Sequence, residues 1–153
     1  MNLKPKLIEG NSYSDNRGII SFANDFKLPN ISRFYTIEHL SIDIIRAWQG
    51  HEIETKYFFP LKGKFVIAYV KIDNFDNPSD NLMAEYKILD SNKPCVLHIP
   101  PGYANGLRAL EPNSLIGVFS DMDVDKSVDE KRRYDFHKWF NWFQNFEEEK
   151  KID

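Results

Sequence analysis

Arg46 to Gly63 reads RAWQGHEIETKYFFPLKG, and its two ends have the character of β-strands. Before the central polar "HEIET" comes "SIDIIRAW", and after it "KYFFPL", both short runs of β-branched and aromatic residues. "LKGK" then signals a turn at Gly63. Alternation along the first strand puts 46, 48 and 50 on one face and 47, 49 and 51 on the other. Gln49 and His51 are therefore expected to share one wall, with Lys56 joining them after the polar break. Arg46 is expected on the opposite face unless a bulge intervenes.

The same texture extends outward in both directions. "RGIISFA", "SRFYTIEHL", "KFVIAYVKI", "MAEYKIL", "CVLHI" and "SLIGVFS" are further strand signals, separated by turn signals such as "DNRG", "DNPSDN", "SNKP", "PPGYANG" and "EPNS". Many short strands without long intervening helices predict an all-β sandwich or barrel. One domain is expected over residues 1–153, with the sandwich at about 8–121 and a helical tail at about 122–149. In that tail Trp139, Trp142, Phe143 and Phe146 fall at the spacing of a helical stripe, which predicts an amphipathic helix packed on the sandwich or on a partner subunit. The final charged run reads as a solvated, fraying end.

Composition narrows the function classes. The chain has 153 residues, 42% hydrophobic and 28% charged, which is globular rather than disordered. Aromatic residues reach 14%, in keeping with a β-rich core or a large interface. A net charge of −3 offers no basic patch, so nucleic acid is not an expected partner. No apolar run has the length of a membrane span, and the N-terminus lacks a signal-peptide core. With a single cysteine, Cys95, in an apolar run, the expected setting is the reducing cytoplasm. Cys95 itself reads as a small core residue.

The stretch from Arg46 to Gly63, together with "LHIPPGYANGLRAL" (Leu97–Leu110), resembles the two motif regions of cupins, which are double-stranded β-helix jelly rolls. Laid on the metal-binding cupin pattern with its spacing intact, the first region places Gln49, His51, Lys56 and Gly63, and the second Pro100, Gly102 and Asn105. Gln49, Lys56 and Asn105 thus stand where two histidines and a glutamate would bind metal. A lysine ammonium is a poor neighbour for a divalent ion, and His51 alone cannot hold one. A metal-free pocket without a cofactor is expected.

Within the cupins the chain resembles the superfamily of dTDP-4-dehydrorhamnose 3,5-epimerases and dTDP-4-keto-6-deoxyhexose 3,4-ketoisomerases, from about residue 8 to about residue 137. "DNRG" (Asp15–Gly18) is similar to an early motif whose arginine reaches nucleotide phosphates. "IPPGYANGL" looks like an epimerase motif, and "RAWQGH" looks like a ketoisomerase motif. Gln49 occupies the place of the epimerase base, and no tyrosine occurs in "SDMDVDKS", where the resemblance implies an acid. His51 keeps the second histidine of the ketoisomerase pair, and Tyr35 falls near a tyrosine of that branch.

The resemblance implies a 4-keto-6-deoxy sugar nucleotide as substrate, a homodimer, and a place in surface-polysaccharide synthesis. Removing a proton beside the ketone leaves an enolate, so a base and a cation are needed. His51 is the candidate base and Lys56 or Arg46 the candidate cation. Arg17, Arg33 and Arg108 are candidate diphosphate contacts. Gln49, Tyr103 and Asn105 are candidate sugar contacts, and Asp135 resembles the late residue that orients the family's base. Structural roles stand beside these: a snorkelling Lys56, an Arg17 that caps its turn, amides that tie down backbone. His39, His98 and His137 read as structural or exposed. Three outcomes remain open: epimerisation, 3,4-ketoisomerisation, or a binding protein without chemistry.

Overall fold

The computed structural model describes residues 3–146. The strands in chain order are β1 (Lys6–Glu9), β2 (Asn11–Asp15), β3 (Gly18–Phe22), β4 (Arg33–His39), β5 (Ile45–His51), β6 (Lys56–Lys62), β7 (Lys64–Lys71), β8 (Glu85–Asp90), β9 (Cys95–Ile99), β10 (Tyr103–Ala109) and β11 (Ser114–Ser120). A short helix α1 (Val124–Glu130) and the two-residue strand β12 (Arg132–Arg133) follow. Two five-stranded sheets form, in the orders β1-β9-β6-β11-β4 and β12-β5-β10-β7-β8, while β2 and β3 pair as a separate hairpin. From β4 onward the chain passes back and forth between the two sheets, with only β7 and β8 adjacent in one. This is the jelly roll of a cupin.

The sequence explains the corners. Gly63 joins β6 in one sheet to β7 in the other at φ +74°, and a Cβ there would stand 2.1 Å from Ser114 Oγ. Only glycine meets both conditions. Between the sheets lie Phe58, Phe65, Ile67, Leu89, Leu97, Leu107, Ile116 and Val118, each at most 3% exposed. At roughly 25 cal/mol per Å2 of apolar area, this interior is the chief source of stability.

A second apolar layer covers the outer face of the β5-containing sheet. Trp48, Val66, Val70 and Ala104 are buried there under Trp142 and Phe146. Trp48 meets Trp139 and Trp142 with ring centroids 5.6 and 5.3 Å apart. The aromatic stripe is therefore not helical: the C-terminal helix is Val124–Glu130, and 136–146 follow the sheet face in turns. Trp139, at φ +67°, lies in the left-handed region, which interrupts any helix. The expected tail at residues 147–149 and the final charged run lie outside the described residues. No helix among the described residues is long and apolar enough to cross a membrane.

Candidate active site

A cavity of about 330 Å3 opens between β4 and β6 of one sheet and β5 and β10 of the other. Its lining includes Tyr35, Ile37, Arg46, Gln49, Lys56, Phe58, Asn105 and Leu107. The volume lies at the lower end of small-molecule pockets, and the mixture of an apolar floor with convergent polar groups is typical of them.

Arg46 reaches this cavity because β5 carries a bulge. Asn105 of β10 pairs with Gln49, but Leu107 pairs with Arg46, so Ala47 and Trp48 together oppose the single residue Gly106. The extra residue reverses the alternation. Arg46 and Gln49 consequently face inward together, while Trp48 faces the outer aromatic layer. The expectation that Arg46 lies on the opposite face is corrected by the bulge on which it was conditioned. Gly106 is required at this crossing, since a Cβ would lie 2.5 Å from Ala47 Cβ and 2.9 Å from Trp142.

Lys56 is 5% exposed. Its ammonium donates to Gln49 Oε1 at 3.4 Å and lies 3.4 Å from Glu54 Oε2. Glu54 is 1% exposed and also lies 3.5 Å from the Arg33 guanidinium and 3.8 Å from His51 Nε2. This carboxylate, on the corner between β5 and β6, is the charge around which Arg33, Lys56 and His51 gather. Neither of its oxygens has a hydrogen-bond partner, and neither does His51 Nε2. Arg33 also donates to Ser127 Oγ at 3.2 Å and lies over the Tyr35 ring at 5.0 Å.

His51 is 2% exposed and lies outside the set that lines the cavity. Its Nδ1 is 2.9 Å from Glu130 Oε1, and because a carboxylate only accepts, Nδ1 is the donor. Glu130, the last residue of α1, also accepts from the Glu52 backbone N–H at 3.0 Å. Burial pushes the Glu130 carboxyl up, but the hydrogen bonds from His51 and the backbone outweigh it and hold it below the usual range.

Four expected residues lie elsewhere. Arg108 alternates with Asn105 and Leu107, so its guanidinium leaves the cavity side of β10. It donates to the backbone oxygens of Ile42 and Trp142 at 2.7 and 3.1 Å and stacks over Phe143. Asp135 is exposed and holds His137 rather than His51; the residue on His51 Nδ1 is Glu130. Tyr103 packs edge-on to Tyr69 and lines a neighbouring cleft with Lys71 and Glu85. Arg17 sits at the β2–β3 turn, where it donates to Asp15 at 2.6 Å. That pairing is the turn-capping arrangement.

Glu54 and Glu130 are absent from the sequence-based expectation. A hint of Glu54 exists, since a lysine committed to a buried wall requires a nearby counter-charge. Nothing local announces Glu130, 79 residues from its partner.

His51, Glu54 and Glu130 each bring one ligand-type atom within 4.8 Å of the others. The donor set is nevertheless a poor fit to a metal ion: Glu54 already faces the Lys56 ammonium and the Arg33 guanidinium, and Glu130 is engaged by His51 Nδ1. A divalent ion there would sit against two fixed cations.

No protein-family model and no curated protein matches the sequence. Solved structures do share the fold. A dTDP-4-dehydrorhamnose 3,5-epimerase from Bacillus anthracis, with TDP and pyrophosphate bound, superposes with a TM-score of 0.74 at 18% identity, over 92% of this chain and 86% of that one. A 3,4-ketoisomerase mutant from Thermoanaerobacterium thermosaccharolyticum, in complex with TDP-4-keto-6-deoxyglucose, gives 0.68 at 18% identity, covering 88% and 90%. A 3′-monoepimerase double mutant from Streptomyces bikiniensis, with dTDP, gives 0.71 at 11% identity, covering 87% and 70%. The chain has the fold of the dTDP-sugar epimerases and 3,4-ketoisomerases.

Proposed function

We propose that this protein is a sugar-nucleotide epimerase or isomerase acting on a dTDP- or UDP-linked 4-keto-6-deoxyhexose by proton transfer beside the ketone, without a metal. The observation that carries the reading is the His51–Glu130 pair: Nδ1 is held by a carboxylate at 2.9 Å, and the buried Nε2 has no hydrogen-bond partner. An imidazole held in this way keeps the Nε2 lone pair for a proton. His51 takes the proton from the carbon next to the carbonyl, the electron pair moves onto the carbonyl oxygen, and Lys56 stabilises the enolate. Lys56 lines the cavity and, like His51 Nε2, approaches Glu54 Oε2, so the proposed base and cation are linked through one buried carboxylate. Return of a proton to the same carbon from the other face gives an epimer. Protonation of the enolate oxygen, loss of the C3 hydroxyl proton and return of a proton to C4 give the 3,4-ketoisomer, with the carbonyl now at C3.

Gln49 and Asn105 bind sugar hydroxyls in this reading, with Tyr35 beside them. A homodimer belongs to the same proposal. The β2–β3 hairpin pairs with neither large sheet and exposes Tyr13, Ile19 and Ile20, which supports its docking on a second copy with Arg17 reaching that copy's ligand. The proposed setting is the cytoplasm, in the supply of sugars for surface polysaccharide.

One observation favours a second reading, a binding protein without chemistry: no histidine is among the residues lining the cavity. Incubation with dTDP-4-keto-6-deoxyglucose in D2O, followed by NMR, separates the two. Deuterium entering the sugar, lost in His51→Ala, is the expected result, and its position distinguishes epimerisation from ketoisomerisation. Binding without exchange in the native protein favours the second reading.

A further inference from the structure

The cations at this site are not equivalent. Lys56 and Arg33 share the buried carboxylate of Glu54. Arg46 has no carboxylate within 4.0 Å among the described residues; its Nε donates instead to His39 Nε2 at 3.1 Å. His39 closes β4 and is 2% exposed, with its ring against Phe65 at 5.7 Å between centroids. A guanidinium only donates, so Nε2 must carry a lone pair, and the imidazole is neutral with its proton on Nδ1. That Nδ1 is buried without a hydrogen-bond partner. Burial, then the neighbouring Arg46 charge, holds the His39 imidazole below the usual histidine range.

The choice of a neutral acceptor has an electrostatic meaning. A carboxylate at this place would fix the guanidinium equally well, but would cancel its charge toward the cavity. An imidazole fixes the geometry and leaves the charge intact. We propose that His39 is a positioning residue that presents Arg46, a cation without a salt-bridge partner among the described residues although Glu38 also lines the cavity, to an anionic oxygen of the ligand. The oxygen belongs either to the diphosphate or to the enolate formed from the ketone. The ligand's identity rests on the sugar-nucleotide reading; the His39–Arg46 device does not.

Two measurements on the full chain test the proposal. Long-range 15N–1H correlation of the histidine rings at pH 7.5 is expected to show His39 protonated on Nδ1 and bare on Nε2. An Nε2–H tautomer overturns the proposal whatever the protein binds. The second measurement compares His39→Leu, His39→Asp and His39→Gln for dTDP affinity and for deuterium exchange into the sugar. Loss of the acceptor in His39→Leu is expected to cost about 10²-fold in one of the two. His39→Asp holds Arg46 but neutralises it and shows a similar loss, while His39→Gln, a neutral acceptor, recovers most of it. A fall in dTDP affinity assigns Arg46 to the diphosphate; intact affinity with slowed exchange assigns it to the enolate. Should His39→Leu fail to fold, the Asp and Gln variants still decide, and equal behaviour of those two overturns the proposal. If the native protein ignores dTDP, the sugar-nucleotide reading fails, and the same contrast is read with inorganic pyrophosphate.

Discussion

Glu130 accepts the Nδ1 proton of His51 at 2.9 Å, and the two residues are 79 positions apart. The end of α1 thereby fixes the orientation of a ring at the end of β5. Glu130→Gln keeps an acceptor oxygen but removes the charge that stabilises a protonated His51. We expect deuterium exchange into the substrate to fall about 10²-fold, with dTDP affinity within a factor of three of the native value. An unchanged exchange rate would remove Glu130 from the mechanism.

Glu54 predicts a stability effect that needs no substrate. Glu54→Gln leaves Arg33 and Lys56 at a buried wall without their counter-charge. A loss of about 3 kcal/mol in urea unfolding is expected. Adding Lys56→Met to Glu54→Gln should restore part of that loss, because the unpaired ammonium is then absent. A double variant no more stable than the single one would show that the pair is not coupled.

The outer aromatic layer is the next test. Trp142 is 3% exposed, packs on Trp48 and Phe140, and donates from Nε1 to the Phe136 oxygen at 3.0 Å. Trp142→Ala is expected to cost about 3 kcal/mol. Trp142→Phe should cost less, since it keeps a ring against Trp48 and loses the hydrogen bond. Thermal unfolding followed by tryptophan fluorescence measures both.

Acid should destabilise the fold through two imidazoles, the buried His39 and the half-buried His98. Burial is the largest cause holding both His39 and His98 below 6.5 in the folded state. Below pH 6.5 the unfolded chain therefore binds more protons than the folded one, and stability falls with falling pH. This contribution is complete above 6.5 and is lost as pH drops through the lower folded values. His98→Gln should flatten the decline between pH 6.5 and 5, measured as urea midpoints across that range. A midpoint that rises toward acid in the native protein would contradict this assignment.

Much of the architecture is legible locally, because each strand is a short β-branched or aromatic run bounded by turn residues. The Gly63 turn is equally plain, although its consequence is not: it sends the chain to the facing sheet rather than into a hairpin. Gln49, Lys56 and Asn105 converge as alternation and motif spacing suggest. Arg108 is separable from Asn105 by alternation alone. Arg46 is different, because its direction depends on how many residues of β5 oppose Gly106, which is a property of the pair of strands. Glu130 in place of Asp135 is a matter of long-range docking, with no local pattern to carry it. The spacing of Trp139, Trp142, Phe143 and Phe146 suits a helix, yet these residues have a flat apolar sheet face to cover, and turns serve that purpose.

The extra residue in β5 also sets how the two faces of the sheet depend on each other. Arg46 is turned toward the ligand cavity by the same kink that turns Trp48 toward the C-terminal aromatics, and Gly106 is pressed between Ala47 and Trp142. The tail is thus a clamp on the far side of the wall that holds the guanidinium, though it contributes no atom to the chamber. If Arg46 holds an anion as proposed, substitutions among Trp139, Trp142 and Phe146 would be read out as altered anion affinity as well as lowered stability. On the proposed reading, ligand selectivity would be anchored partly on the face of the sheet opposite the cavity.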